Sequence, residues 1–409
     1  MDPIVSETDQ CCGLAVARVI LKPRKARPFF GRHPWVLDSA VDHVEGEAAD
    51  GAVVDLVADN GKFVARGIYN PHSRIRVRLY TWSPNDLLDG AFWKSRIERA
   101  IAFRRDLGYD KPDGAARLIY SEADGLSGLI VDRYGAYLVA QVTALAMHAR
   151  VDELLPLLAE ATGARGIVVR NDRALAKMEG LAGEEERTWG HMPEGPVFIE
   201  EHGLRYGVEM GHGQKTGFYL DQRENRRVAA AYVHGGRVLD MFCYTGGFSL
   251  AASRLGGARE VLGIDSSEKA LAMAHAGAEL NSLPNVQFRS ADGFAALGEL
   301  VAGKQHFDMV VLDPPKFTRT RRSVEEALRA YHRINRLAVA LLPPGGRLVT
   351  CSCSGSVTRE DFLYMLAGVS QQSGRDIQVL EQRGAAPDHP TSATCLETEY
   401  LKCFICRVS

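Results

Sequence analysis

A cysteine closing an apolar run, an acid followed by two prolines, and a glycine pair after another apolar run are the residues best suited to chemistry. GRLVTCSCSGS (346–356) reads as a buried strand that ends at Cys353. DMVVLDPPKF (308–317) reads as a strand closing on Asp313 and Lys316, and RVLDMFCYTGGFSL (237–250) as a strand that turns through Gly246 and Gly247 into a helix. Open α/β sheets bind ligands at the carboxyl ends of their parallel strands. There these runs would bring together a cofactor loop, a substrate loop and a thiol. A thiolate activated by a cation or a helix start is a strong nucleophile. Added to C6 of cytosine or uracil, it turns C5 into an enamine or enolate carbon able to take a methyl group from a sulfonium. Loss of the C5 proton then expels the thiol. Lys316 and the helix expected from about Thr358 would activate the sulfur. The competing reading of Cys353 is core packing, since free cysteines are so often buried. Cys351, two residues back and on the same strand face, is read as packing.

Three successive predicted strands end in Asp240, Asp265 and Asp292. Asp265 suits the two hydroxyls of an adenosine ribose, and Asp292 an exocyclic amine. Gly246 and Gly247 let backbone approach a ligand closely, with Phe242 and Thr245 in the same loop. The phosphate fingerprint GxGxxG is absent, so the set fits an adenosine ligand without phosphates, S-adenosylmethionine. The alternative is that the acids merely cap the helices that follow. In enzymes that methylate amino groups, an aromatic residue usually follows the prolines directly. Here Lys316 takes that place and Phe317 comes one later, which counts against an exocyclic nitrogen as the target.

These runs must be positioned by a larger fold. The 409 residues make room for two or three domains, and 46% apolar with 24% charged residues is ordinary for a core-forming chain. Residues 13–92 alternate apolar and polar positions between turn signals and predict a small β-barrel or sandwich. A helix is predicted over 91–108. Residues 93–200 read as a β-rich central segment with one helix over 149–161, and 201–409 as alternating strands and helices, hence a mostly parallel α/β sheet. Among the eight cysteines, Cys403 and Cys406 form a lone CxxC in an apolar run, read as core thiols rather than a metal pair. Cys11 and Cys12 are assigned nothing, and no metal is expected. No run approaches a membrane span, and the first residues lack a signal-peptide pattern, so a cytoplasmic protein without a membrane partner is expected.

With a net charge of −2, any RNA surface must be local. PRKARPFFGRHPW (23–35) interleaves Arg27 and Arg32 with Phe30 and Trp35, the mixture of cations and rings that unpaired RNA calls for. Arg74, Arg76 and Arg78 would share one strand face, and Arg319 and Arg321 follow the DPPKF loop. The plain alternative for each patch is solvated surface charge.

DMFCYTGGFS, DPPKF and SCSGS, together with GHGQKTGFYLDQRENR (211–226), RHPWVLDSAV (32–41), SEADGLSGLIVDRYG (121–135) and the late DHPTSAT…YLKCF (388–404), resemble the ribosomal large-subunit RNA cytosine-5 methyltransferase I family. The resemblance covers nearly the whole chain after about residue 13. It implies an N-terminal PUA domain (13–92), a central β-rich domain (93–200) and a Rossmann-like methyltransferase domain (201–409). It further implies S-adenosylmethionine as cofactor, 5-methylcytosine formation in large-subunit ribosomal RNA, and Cys353 as nucleophile. By the same resemblance KTGFYLDQR lies over the cofactor, so Asp221 and Arg223 would help to bind it. The DPPK loop carries no cysteine, which leaves Asp313 or an ordered water to accept the C5 proton. Two other readings stand: a nitrogen methyltransferase of the same fold, and a non-catalytic assembly factor that binds ribosomal RNA. The target nucleotide, naked RNA or particle as substrate, and the oligomeric state, a homodimer included, stay open.

Overall fold

The computed structural model describes residues 16–171, 173–181, 186–210, 217–318 and 323–409. They divide into two compact units. One holds the described residues up to Ser95 with Val142–Leu154 and the described part of 171–184; the other holds Arg96–Gln141, Leu155–Arg170 and the described residues after 185.

The first unit is built on six strands: β1 (Ala17–Leu21), β2 (Trp35–Leu37), β3 (Val41–Glu45), β4 (Val53–Val57), β5 (Phe63–Tyr69) and β6 (Ile75–Thr81). They pair in the order β2-β6-β5-β4-β1-β3. Alternate residues Val19, Leu21, Val54, Leu56, Val77 and Leu79 fill one core, as the period of two requires.

The expected guanidinium row on β6 is corrected here. The face of β6 that carries Arg78 is covered by Glu179, from outside the sheet. Arg78 is buried, bonds Glu179 Oε1 at 3.2 Å, and sits over the Trp35 ring. Arg76 is half-buried and donates to the carbonyls of Asn70 and Pro71. Of the three, only Arg74, just ahead of the strand, is exposed.

In the second unit, β7 (Ala115–Tyr120), β8 (Leu129–Tyr134), β9 (Tyr137–Val142), β10 (Gly166–Asn171) and β11 (Arg187–Gly190) form a sheet ordered β11-β10-β9-β8-β7. β12 (Val197–Glu201) and β13 (Leu204–Val208) form an antiparallel hairpin. The remaining strands are β14 (Arg237–Met241), β15 (Glu260–Asp265), β16 (Val286–Ser290), β17 (Met309–Leu312), β18 (Gly346–Ser352), β19 (Ile377–Arg383) and β20 (Lys402–Val408). Their order is β16-β15-β14-β17-β18-β20-β19. The first five are parallel, and β20 runs antiparallel between β18 and β19.

Successive residues of these strands feed two separate cores. Met309, Val311, Val349 and Cys403 join one; Val310, Leu312, Leu348 and Cys406 join the other. A sheet covered on both faces explains the unbroken apolar runs in the sequence. It also makes Cys403 and Cys406 core thiols. Strand order reverses between β14 and β17, the switch point where such sheets open a crevice. Among the described residues no helix is long and apolar enough to cross a membrane.

Candidate active site

A cavity of about 680 Å³ opens at the carboxyl ends of β14, β15, β17 and β18, within the range of small-molecule sites. Its floor is the loop after β14. Phe242, Tyr244 and Gly246 all adopt left-handed backbone, with φ of 62°, 51° and 80°. Such conformations cost a non-glycine residue about 1–3 kcal/mol each and need outside support. Asp265 Oδ2 provides it by accepting from Tyr244 N at 2.9 Å, and Cys243 N donates to Ile264 O at 3.1 Å. At Gly246 a Cβ would lie 2.9 Å from the Phe288 ring, and at Gly293 it would lie 2.4 Å from the Phe242 ring. Thus Gly293→Ala is expected to displace Phe242 and weaken cofactor affinity about tenfold, read by calorimetry; unchanged affinity would mean that Phe242 is not part of that site.

The three strand-end acids part company. Asp265 ends β15 on the cavity wall, and its oxygens hold Tyr244 N and Ser267 N, each at 2.9 Å. Asp292 is also on the wall while capping helix Gly293–Ala302 through Ala295 N at 2.9 Å. The capping and ligand readings are therefore both open to it. Asp240 is different: it is buried, one residue short of the strand end, and accepts from Ser249 Oγ at 2.6 Å. It supports the loop from behind and does not line the cavity, which corrects the expected ligand role.

Burial pushes the Asp240 carboxyl up to about 7, with the Ser249 hydroxyl opposing and Asp313 adding to the rise. A raised carboxyl pKa means that the folded state binds the proton more tightly than the unfolded one. Stability is then lost as pH rises from about 4 to 7, by at most about 1.4 kcal/mol per pH unit. Asp240→Asn is expected to flatten that slope in denaturant titrations; an unaltered slope would refute the assignment.

Asp221 and Gln222 line the opposite wall. Asp221 accepts a short hydrogen bond from Tyr400 Oη, while its Oδ1 is buried with no hydrogen-bond partner among the described residues. Arg223, expected beside it as a ligand, is instead buried and committed to Glu201 Oε2 at 3.3 Å and the Ala115 carbonyl. Its neighbour Arg226 is on the wall but neutralised by Glu201, at 2.8 and 2.7 Å. Lys269 on the rim pairs with Glu209 at 2.6 Å. Carboxylates thus predominate over cations available for phosphate. The surroundings suit an adenosine with a cationic tail.

Cys353 stands just past Ser352, the last residue of β18, and lines the same cavity with Asp313, Pro314, Pro315 and Phe317. It is half-buried, whereas the other described cysteines (243, 351, 395, 403 and 406) are buried. Burial pushes the Cys351 and Cys243 thiols upward, which keeps them inert. The Phe317 ring is 4.7 Å from Tyr331 and 6.1 Å from Phe294, in tilted contact with each. Lys316, expected beside the thiol, is exposed and does not line the cavity. Arg319, Arg321 and residues 211–216 lie outside the described residues. Tyr400, Gln222 and the buried Lys402 were not singled out in the sequence. Tyr400 and Lys402 belong to YLKCF, where the motif was visible but their partners were not.

Residues 123–399 match the family profile of S-adenosylmethionine-dependent methyltransferases, and residues 19–82 match that of PUA-like domains. The chain is 39% identical over 393 residues to ribosomal RNA large subunit methyltransferase I of Escherichia coli K12, covering 96% of this chain and 99% of that protein. Among solved structures, a protein of Streptococcus mutans described as a SAM-dependent methyltransferase superposes with a TM-score of 0.80 at 19% identity, over 95% of this chain and 99% of that one. A methyltransferase complexed with SAH gives a TM-score of 0.81 at 20% identity, over the same shares. At those identities the two structures bear on the fold alone.

Proposed function

The chain belongs to the S-adenosylmethionine-dependent methyltransferase family, and from that premise we propose that it methylates C5 of a cytosine in large-subunit ribosomal RNA. The observation that carries the reading is Cys353: a half-buried thiol on the wall of the cavity that also holds the glycine loop, Asp265 and Asp313.

When bound, S-adenosylmethionine supplies an electrophilic methyl group. Asp265 would hold its ribose, Asp292 its adenine amine and Asp221 its ammonium. Gly246 and Gly247 leave room for close backbone approach. Deprotonated Cys353 adds to C6 of the cytosine, and the electron pair shifts to C5, which becomes the methyl acceptor. Asp313, on the same wall, takes the C5 proton; the C6–S bond then breaks and regenerates the thiolate. Digesting the methylated RNA to nucleosides tests the reading: 5-methylcytidine is expected, and an N-methylated nucleoside would overturn it.

The PUA-like unit offers RNA the exposed Arg27, Arg32 and Arg74 and the exposed Phe30. Changing all three arginines to alanine is expected to weaken RNA binding and lower the salt-dependence slope by about two, as loss of three phosphate contacts to a single strand requires. An unchanged slope would place the RNA elsewhere. Trp35, half-buried under Arg78, serves that surface as a support.

A further inference from the structure

Lys402 opens β20 and is 3% exposed. Its backbone faces Ser352 across the β18–β20 ladder. Its Nζ donates to the Ser354 carbonyl at 2.7 Å and to the Tyr400 carbonyl at 2.8 Å. Lys402 therefore brackets Cys353, its backbone paired with the residue before it and its Nζ bonded to the residue after it. Neither hydrogen-bond partner is a carboxylate. An ammonium has three donors, and the third has no partner among the described residues.

We propose that Lys402 is the positioning residue and charge partner of Cys353: its ammonium fixes the turn that carries the sulfur and holds that sulfur as the thiolate. The inference rests on the reading of Cys353 as nucleophile. Burial pushes the lysine down to about 8, while the sulfur pulls it back up, so the charge is held against a desolvation cost.

Other groups face this corner. Arg359 and Glu399 pair with each other at 2.9 Å, which leaves little net charge. Tyr331, from helix Val324–Ala340, is pushed up to about 12 by burial and stays neutral. Asp313 lines the cavity wall as an acid, and Lys316 is exposed and screened. Of these groups, Lys402 is the buried cation.

Iodoacetamide alkylation of Cys353 in the full chain, read by peptide mass spectrometry from acid to alkaline pH, follows the thiolate directly. In Lys402→Gln the midpoint is expected to rise by about one pH unit and the rate at neutral pH to fall about tenfold. Lys402→Arg keeps the midpoint near the parent's. So does Tyr331→Phe, which releases the Ser354 hydroxyl held at 3.2 Å without altering charge. A folded glutamine variant with the parent's midpoint overturns the proposal. Should that variant not fold, the arginine variant decides, because its charge does not titrate in this range. A midpoint at or below the parent's then supports the pairing, and a higher one refutes it. Failure of the nucleophile reading is distinguishable: it shows as normal methylation by Cys353→Ala, whatever the alkylation profile.

Discussion

Cys353→Ala is expected to lose methyl transfer by about a thousandfold or more while binding S-adenosylmethionine as the parent does. C5 of cytosine is a poor nucleophile until something adds at C6. Among the described cysteines, Cys353 alone is not buried, and it stands on the cavity wall. The buried Cys351, with its thiol pushed upward by burial and a neighbour in Cys403, cannot take over. RNA carrying 5-fluorocytosine should give a covalent complex with the parent protein, since fluorine at C5 cannot leave as a proton does. That complex should vanish in the variant. Methylation by the alanine protein at the parent's rate would sink the thiol mechanism.

Glu201→Ala is expected to destabilise the second unit by about 3–5 kcal/mol, read as a lower denaturant midpoint. This carboxylate ends β12, is 5% exposed, and receives Arg226 at 2.8 and 2.7 Å and Arg223 at 3.3 Å. Its removal leaves the buried Arg226 without its counter-charge and Arg223 with only Asp388, 3.9 Å away. Arg226 also holds the Tyr219 carbonyl at 2.9 Å and packs against Gly247, so cofactor affinity should fall as well. Burial alone would raise the Glu201 carboxyl, but the two arginines bring it below its usual value. A depressed carboxyl contributes stability that is present above the unfolded-state pKa, about 4.3, and is lost as pH falls. Asp388, brought down to about 2 against its burial by His389 and Arg223, adds to the same acid sensitivity. A loss below about 1 kcal/mol in the alanine variant would show that the cluster is not a structural centre of the unit.

The strand-and-helix alternation after residue 200 was legible because each element has its own hydrophobic period, and the glycine loop because few residues tolerate its backbone. Asp265 and Cys353 were legible as strand-end residues next to unusual loops. Asp240 misled, since a strand that runs one residue further turns the same carboxylate from rim to interior, and the answering Ser249 hydroxyl comes from a helix nine residues on. The alternation in RIRVRLY was legible, but whether its polar face meets water depends on what packs over it, here Glu179 a hundred residues on, which periodicity does not encode. Lys402 interrupts an apolar run, and nothing in the sequence singles it out. Its place beside the thiol exists only through the β18–β20 register, a pairing between segments fifty residues apart.

That last strand has a consequence for the shortened protein. β20 fills the gap between β18 and β19 and bonds to both. Truncation before Leu401 would uncover two open sheet margins, each a ready template for another chain. Such a truncate should accumulate as insoluble aggregate rather than as a feeble enzyme.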